Sequence, residues 1–320
     1  MKVFDASNRI GLGGAPLGNL FSAVTDQDAA ATVQAAWDEG WRYFDTAPHY
    51  GLGLAEERLG AALRDKPRDA YVLSSKVGRI IYEADSPAAD DQGFDVVTTR
   101  RRRWDFSRDG VLRSIEDTLR RMGTDRLEVV FVHDPDDHEQ EALRTAFPTL
   151  AGLRDEGVIG AIGAGMNQTG MLTRFVRQAD LDVIMLAGRY TVLDPDGLDD
   201  ILPACVDNDV QVIAVGVFNS GLMSQRRPAP DATFNYAPAP AELRAKVERI
   251  ADVCESHGVT LPAVALQFPL AHPAVAGVAV GCRTAAQVHA NAGLARTAVP
   301  PAVWSDLRDA GLLRSDAPTP

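Results

Sequence analysis

Cysteine is scarce in this chain. Only Cys205, Cys254 and Cys282 occur among 320 residues, far apart and without a CxxC pair. That argues against a disulfide framework or a zinc site and suits a reducing compartment. Positive charge is also in deficit: 32 Lys and Arg stand against 44 Asp and Glu, a formal net charge of -12. Such an acidic chain is a poor partner for nucleic acid or an anionic membrane surface. No apolar run approaches the roughly 18 residues of a membrane span, and the opening MKVFDASNRIGLGG lacks a signal-peptide core. A GxGxxG opening a helix after a strand is missing too. GLGG near the N-terminus has too few glycines at the wrong spacing and reads as a first βα turn. These absences point to a cytoplasmic protein acting on a small molecule, with no metal, no nucleic acid and no membrane, its oligomeric state left open.

The chain is 46% hydrophobic, enough for a large core. Apolar, β-branched runs alternate with amphipathic stretches along nearly all of it. IGLGGA, WRYFDT, AYVLSSKVG, LEVVFVHDP, VIGAIGAG, DVIMLAGRY, VQVIAVGVF and VAGVAVGC read as strands, each followed by a helical stretch. Their continuous apolar character is that of parallel strands buried on both faces. Eight such units predict an α/β fold, a (β/α)8 TIM barrel, as a single domain over residues 1–320. Residues 298–320 are expected to add a C-terminal helix and tail. Two long loops are expected at the C-terminal face, 79–107 and 219–240. The first carries four consecutive arginines, Arg100 to Arg103, read as a solvated run balancing nearby acids.

In such a barrel chemistry sits at the C-terminal strand ends. FDTAPHYG puts Asp45 at the end of the second strand and Tyr50 in the turn after it; Pro48 and Gly51 exclude a helix between. The third strand ends at Lys76 and the fourth at His133. Taken alone, any one of these is more simply a cap or a core residue. Four in order at strand ends form a plausible hydrogen-bonded set. A Lys ammonium beside the phenol favours the phenolate, Asp45 offsets the desolvation of the lysine, and a histidine beside the hydroxyl can orient or relay a proton. Phe21, His49, Leu52 and Trp104 are expected to wall the substrate pocket. His138, His257, His272 and His289 read as surface groups, and Cys282 as a packing residue.

Asp45, Tyr50, Lys76 and His133 resemble, in type, order and strand position, the catalytic tetrad of the aldo-keto reductases. GLGGAPLG, GWRYFDTAPHYG with EERLG, SSKVG, LRRMGTDRLEVVFVHDPD, GAIGAGMN and GCRTAAQVHANAG are similar to successive family blocks over nearly the whole chain. The resemblance implies an oxidoreductase with an NAD or NADP cofactor across the barrel top. It implies cofactor contacts from Asn167, from Tyr190 stacking on the nicotinamide, from Val217, Asn219, Ser220, Gly221 and Leu222 at the pyrophosphate, and from Gly281, Arg283, Thr284, Gln287 and Asn291 around the adenosine. Met166 departs from the usual serine before Asn167. Many NADP-using members carry a basic residue where Gln287 stands, so the expectation is NAD, with NADP through Arg283 as the alternative. WDFSRDGVLRSIEDTL after the long loop, Asp134 after His133, and LAGRYTVLD are similar to the branch of aldose 1-dehydrogenases and pyridoxal 4-dehydrogenases. That branch implies oxidation of an L-fucose or D-threo-aldose type hemiacetal to a lactone, with Tyr50 as general acid/base. Alternatives are pyridoxal oxidation, general aldehyde reduction, and a non-catalytic nucleotide-sensing subunit.

Overall fold

Eight short strands, almost wholly buried, close on one another through parallel ladders. They occur in a computed structural model that describes residues 3–5, 8–235 and 237–320. In chain order the strands are β1 (Ile10–Gly13), β2 (Tyr43–Asp45), β3 (Val72–Val77), β4 (Arg79–Ala89), β5 (Val97–Trp104), β6 (Leu127–His133), β7 (Ile159–Met166), β8 (Val183–Ala187), β9 (Gln211–Val215), β10 (Thr233–Phe234), β11 (Ala237–Pro238) and β12 (Val275–Gly281). The closed barrel runs β1-β12-β9-β8-β7-β6-β3-β2, the TIM-barrel architecture that the alternating pattern predicts.

Helices between the strands start and stop where local chemistry directs. Thr25 caps Asp26–Asp38 by accepting from the Asp28 N–H, and Ser107 caps Arg108–Met122 by accepting from Gly110. Gly123, at φ 64°, terminates the latter helix in the left-handed region. Pro148 has no N–H to give to a regular turn. The segment Ala142–Ala146 before it widens into a π-helix, and Phe147–Asp155 continues as α-helix. The C-terminal helix, Pro301–Asp309, buries Val303, Trp304 and Leu307.

Side chains alternate across each strand, and the inward set fills the barrel. Tyr43, Val129, Phe131, Ala161, Val183, Met185, Ile213 and Ala279 pack as one cluster with Phe4. The Phe4 ring meets Tyr43 edge-on at 4.8 Å. Gln211 anchors this N-terminal segment by accepting from the N–H groups of Val3 and Phe4. A larger cluster fills the layer between strands and helices.

Residues 79–107 are not the irregular loop the composition suggests. β4 and β5 pair antiparallel as a two-stranded ribbon, Arg79 facing Trp104 and Ala89 facing Val97, with one irregularity between. The ribbon's connection docks on the loop after β1. Phe21 donates to the Gly93 carbonyl at 2.8 Å, and Asn19 Nδ2 to the Asp95 carbonyl at 3.0 Å. The described residues within 219–240 are largely irregular, apart from the β10–β11 pair. No helix among the described residues is long and apolar enough to cross a membrane.

Candidate active site

Strand parity builds the site. Tyr43 and Asp45 on β2, Ser74 and Lys76 on β3, and Val129, Phe131 and His133 on β6 are spaced by two, so each series points inward. Asp45, Lys76 and His133 stand at or next to the C-terminal ends of their strands. Below them Tyr43 OH meets Ser74 Oγ at 3.0 Å, and Ser74 Oγ donates to Asp45 Oδ1 at 2.6 Å. Lys76 Nζ donates to Asp45 Oδ2 at 2.6 Å, to Oδ1 at 2.8 Å and to the Thr46 carbonyl at 2.8 Å. With a further hydrogen bond to the Tyr50 phenol, these contacts take up the ammonium of a buried lysine.

Tyr50 reaches this group from the turn after β2. Its N–H bonds the Ala47 carbonyl, and Gly51 takes φ 63°. Gly51 and Gly18 pass so closely that a Cβ on either would strike the other's backbone region, at 2.4 Å from the Gly18 carbonyl and 2.6 Å from Tyr50. Two glycines therefore press the turn onto the loop after β1 and fix the phenol over the barrel. The Lys76 ammonium lies 4.7 Å from the Tyr50 ring centroid, and the His133 ring lies 5.8 Å from it. The structure thus brings Asp45, Tyr50, Lys76 and His133 together.

Burial dominates the electrostatics. It pushes the Tyr50 phenol up to about 12, although Lys76 pulls the other way. The net direction is opposite to the lowering expected from the lysine alone. Burial also works against the Lys76 charge, but Asp45 and Tyr50 outweigh it and hold its pKa above the ordinary lysine range. Asp45 is raised by burial, with Lys76 and Ser74 opposing. His133 lies well below its usual value because of burial, then Arg79, Lys76 and His49, and so is neutral. His49 is pushed down to about 2 by burial, with Arg79, Arg102 and Lys76 adding to it.

Of the pocket set, His49 lies beside the tetrad, its ring 5.6 Å from His133 and 6.1 Å from Tyr50. Trp104 joins through Arg79, whose guanidinium sits 4.1 Å over the indole centroid. Leu52 is buried, at φ 56°, and Phe21 is 57% exposed, on the loop that holds the ribbon's connection. Sequence reasoning missed Phe94, whose ring lies 6.1 Å from Tyr50 and 5.1 Å from His49. It also missed Arg79. Arg79 opens the ribbon and Phe94 lies in its connection, and no alternating pattern in the sequence marks either one.

Two readings need correction. Tyr190 offers no open face for stacking: it is 1% exposed and packs against Phe268 at 5.0 Å and His272 at 5.5 Å. An aromatic after a strand end is as well suited to core packing, and here packing takes it. His272 is not a surface group either. It is 8% exposed, and its Nδ1 accepts from the Ala274 N–H at 3.2 Å.

The remaining cofactor candidates form two groups. Asn219, Ser220 and Gly221 take successive positive φ values of 46°, 58° and 91° between buried Val217 and Leu222. The Asn219 side chain is occupied internally, accepting from Thr191 Oγ1 and donating to the Gly188 carbonyl. At the end of β12, exposed Gly281 precedes Arg283 and Thr284, and Thr284 Oγ1 caps the helix Ala285–Arg296 by accepting from Gln287 N. Gln287 Oε1 accepts from the Arg283 N–H at 2.7 Å, Arg283 Nη2 donates to the Leu20 carbonyl, and Asn291 Nδ2 lies 3.3 Å from Cys282 Sγ. Arg283 Nε is buried without a partner. An unpaired guanidinium N–H beside an exposed glycine and a helix N-terminus fits an anionic nucleotide. Asn167 is half-buried beside buried Met166 at the end of β7. No group of three potential metal ligands occurs among the described residues.

Residues 9–311 match the sequence profile of the Aldo/keto reductase family. The chain is 46% identical to D-threo-aldose 1-dehydrogenase from Pseudomonas sp over 316 residues, 97% of this chain and 95% of that protein. It is 38% identical to pyridoxal 4-dehydrogenase from Microbacterium luteolum, over 95% of this chain and 94% of the other. Among solved structures, a glycerol dehydrogenase from Gluconobacter oxydans superposes with a TM-score of 0.77 at 23% identity, covering 98% of this chain and 93% of that one. An aldo-keto reductase from Bacillus halodurans, in holo form, gives 0.74 at 24% identity, over 97% and 93%. At those identities the structures speak for the fold alone.

Proposed function

The chain belongs to the Aldo/keto reductase family and is an oxidoreductase, and on that premise we propose that it oxidises the C1 hemiacetal of an aldose to the lactone. The observation that carries the substrate class is the 46% identity to a D-threo-aldose 1-dehydrogenase over nearly the full length of both chains. L-Fucose and other D-threo-aldoses are the leading substrate class.

A bound oxidised nicotinamide supplies the hydride acceptor for such a reaction. The chain's own residues handle the proton. Tyr50, as phenolate, takes the proton of the C1 hydroxyl while the C1 hydrogen leaves with its electron pair, and the C1–O bond becomes the lactone carbonyl. Lys76 stabilises the phenolate from beside the ring, and Asp45 with the Thr46 carbonyl keeps the ammonium in place. Neutral His133 donates or accepts one hydrogen bond at the substrate oxygen, which orients it without adding charge. Around the cofactor, Asn167 would meet the carboxamide, the turn Asn219 to Gly221 the pyrophosphate, and Arg283, Thr284 and Asn291 the adenosine end. Gln287 places no positive charge there, which favours NAD; Arg283 is the residue that would hold an NADP phosphate.

The 38% identity to a pyridoxal 4-dehydrogenase supports a second substrate, the cyclic hemiacetal of pyridoxal. Initial rates of reduced-nicotinamide formation with NAD and with NADP, on L-fucose, D-arabinose, L-galactose, D-glucose and pyridoxal, separate the two. Turnover of an aldose with a lactone product is the expected result. Turnover of pyridoxal alone would replace the substrate and keep the site.

A further inference from the structure

The β4–β5 ribbon brings to the site a set of polar atoms that the proton chemistry does not use. Arg79 faces Trp104 across the ribbon and Ile81 faces Arg102, so the two arginines lie diagonally on one face. Their side chains are 9% and 8% exposed. Each keeps one nitrogen on a carboxylate: Arg79 Nη2 on Asp134 Oδ2 at 3.1 Å, and Arg102 Nη2 on Asp90 Oδ1. Nε and Nη1 of Arg79, Nε and Nη1 of Arg102, and Nδ1 of His49 are buried with no partner in the protein. Native interiors rarely leave such groups unpaired, and here they gather in one place. His49 feels the charge of both guanidiniums, Arg102 feels that of Arg79, and the His49 ring packs between Phe94 and His133.

The charge count selects the ligand. Each guanidinium has its own carboxylate, so the cluster holds no surplus cation for a phosphate or a carboxylate. What it holds is N–H donors in planar forks, with the half-exposed Asp134 carboxylate as an acceptor. Vicinal hydroxyls need that combination.

We propose that Arg79 and Arg102, set by the β4–β5 ribbon, are substrate-recognition residues that bind the hydroxyls of a neutral aldose remote from C1. This rests on the aldose reading above.

The test uses Arg79→Lys and Arg102→Lys in the full chain with bound cofactor. Lysine keeps the ion pair with Asp134 or Asp90 but loses the planar fork and its Nε. Steady-state rates are compared for D-arabinose oxidation and for reduction of butanal, which has no hydroxyls. In each variant the KM for D-arabinose rises at least tenfold with kcat changed less than threefold. The ratio of kcat/KM for D-arabinose over butanal also falls at least tenfold. A variant that merely misfolds lowers both substrates together and leaves that ratio unmoved. If both variants keep the wild-type KM and ratio, the unpaired nitrogens serve water alone and the proposal is overturned, while the aldose reading stands. If the wild type prefers D-galacturonate to D-galactose, the cluster reads an anion and the proposal is overturned in its neutral form. If the wild type neither turns over an aldose nor binds one in calorimetry, the aldose reading fails and this inference with it.

Discussion

At the scale of single residues, the site is a balance between burial and pairing. Lys76 is 2% exposed, and its charge is tolerable because Asp45 and the Thr46 carbonyl take its donors. Removing one member leaves the other charge buried and unpaired. Lys76→Met is therefore expected to destabilise the fold by about 3–5 kcal/mol, read by urea unfolding; a loss near zero would mean that Asp45 is not ionised. The raised pKa of Tyr50, to about 12, gives a second prediction. Oxidation needs the phenolate, so kcat/KM for oxidation rises with pH from 7 to 10, approaching tenfold per unit where chemistry limits the rate. A flat oxidation profile over that range would remove Tyr50 as the titrating base. Asp45, Lys76 and His133 were legible in the sequence because each closes an apolar run, and Tyr50 because it sits in the turn that follows the first of them. The sign of the Tyr50 shift was not, because burial is a property of the packed chain.

At the scale of elements, the β4–β5 ribbon is where sequence and structure part most. Arginines and acids in 79–107 suggest solvated loop, yet long arginine stems pack well along a ribbon face while their heads find carboxylates. Arg102 on Asp90 and Arg100 on Glu57 fit the expected balance of charge, but within an ordered ribbon. Phe94, in the ribbon's connection, has no local signature at all. The barrel strands were readable for the opposite reason, since burial on both faces leaves only apolar residues to choose from. Gly78 turns β3 into the ribbon at φ 108°, and a Cβ there would stand 2.3 Å from the Phe106 ring. Gly78→Ala is expected to cost at least about 1–3 kcal/mol from the backbone alone. It should also speed proteolysis within the ribbon, followed by electrophoresis. An unchanged melting temperature and cleavage pattern would show that the turn is not what holds the ribbon.

At the scale of the whole molecule, two histidines are held neutral at the barrel top. His133 lies well below its ordinary pKa and His49 is pushed down to about 2. Unfolded, both bind a proton near pH 6.5; folded, neither does. The unfolded state therefore takes up more protons as pH falls, so stability that is full above about pH 6.5 declines below it. Thermal unfolding between pH 8 and pH 5 is expected to show this decline, reduced in a His49→Phe variant. Constant stability down to pH 5 would contradict the buried, neutral assignment.

Under the proposed reaction Tyr50 moves the proton in aldose oxidation without being needed to hold the cofactor. The direct measurement is turnover of D-arabinose or L-fucose with NAD by wild type and Tyr50→Phe, with cofactor affinity measured alongside by calorimetry. The expected result is a loss of about 10²–10⁴ in kcat with the cofactor Kd within about threefold. Wild-type turnover in Tyr50→Phe would contradict it.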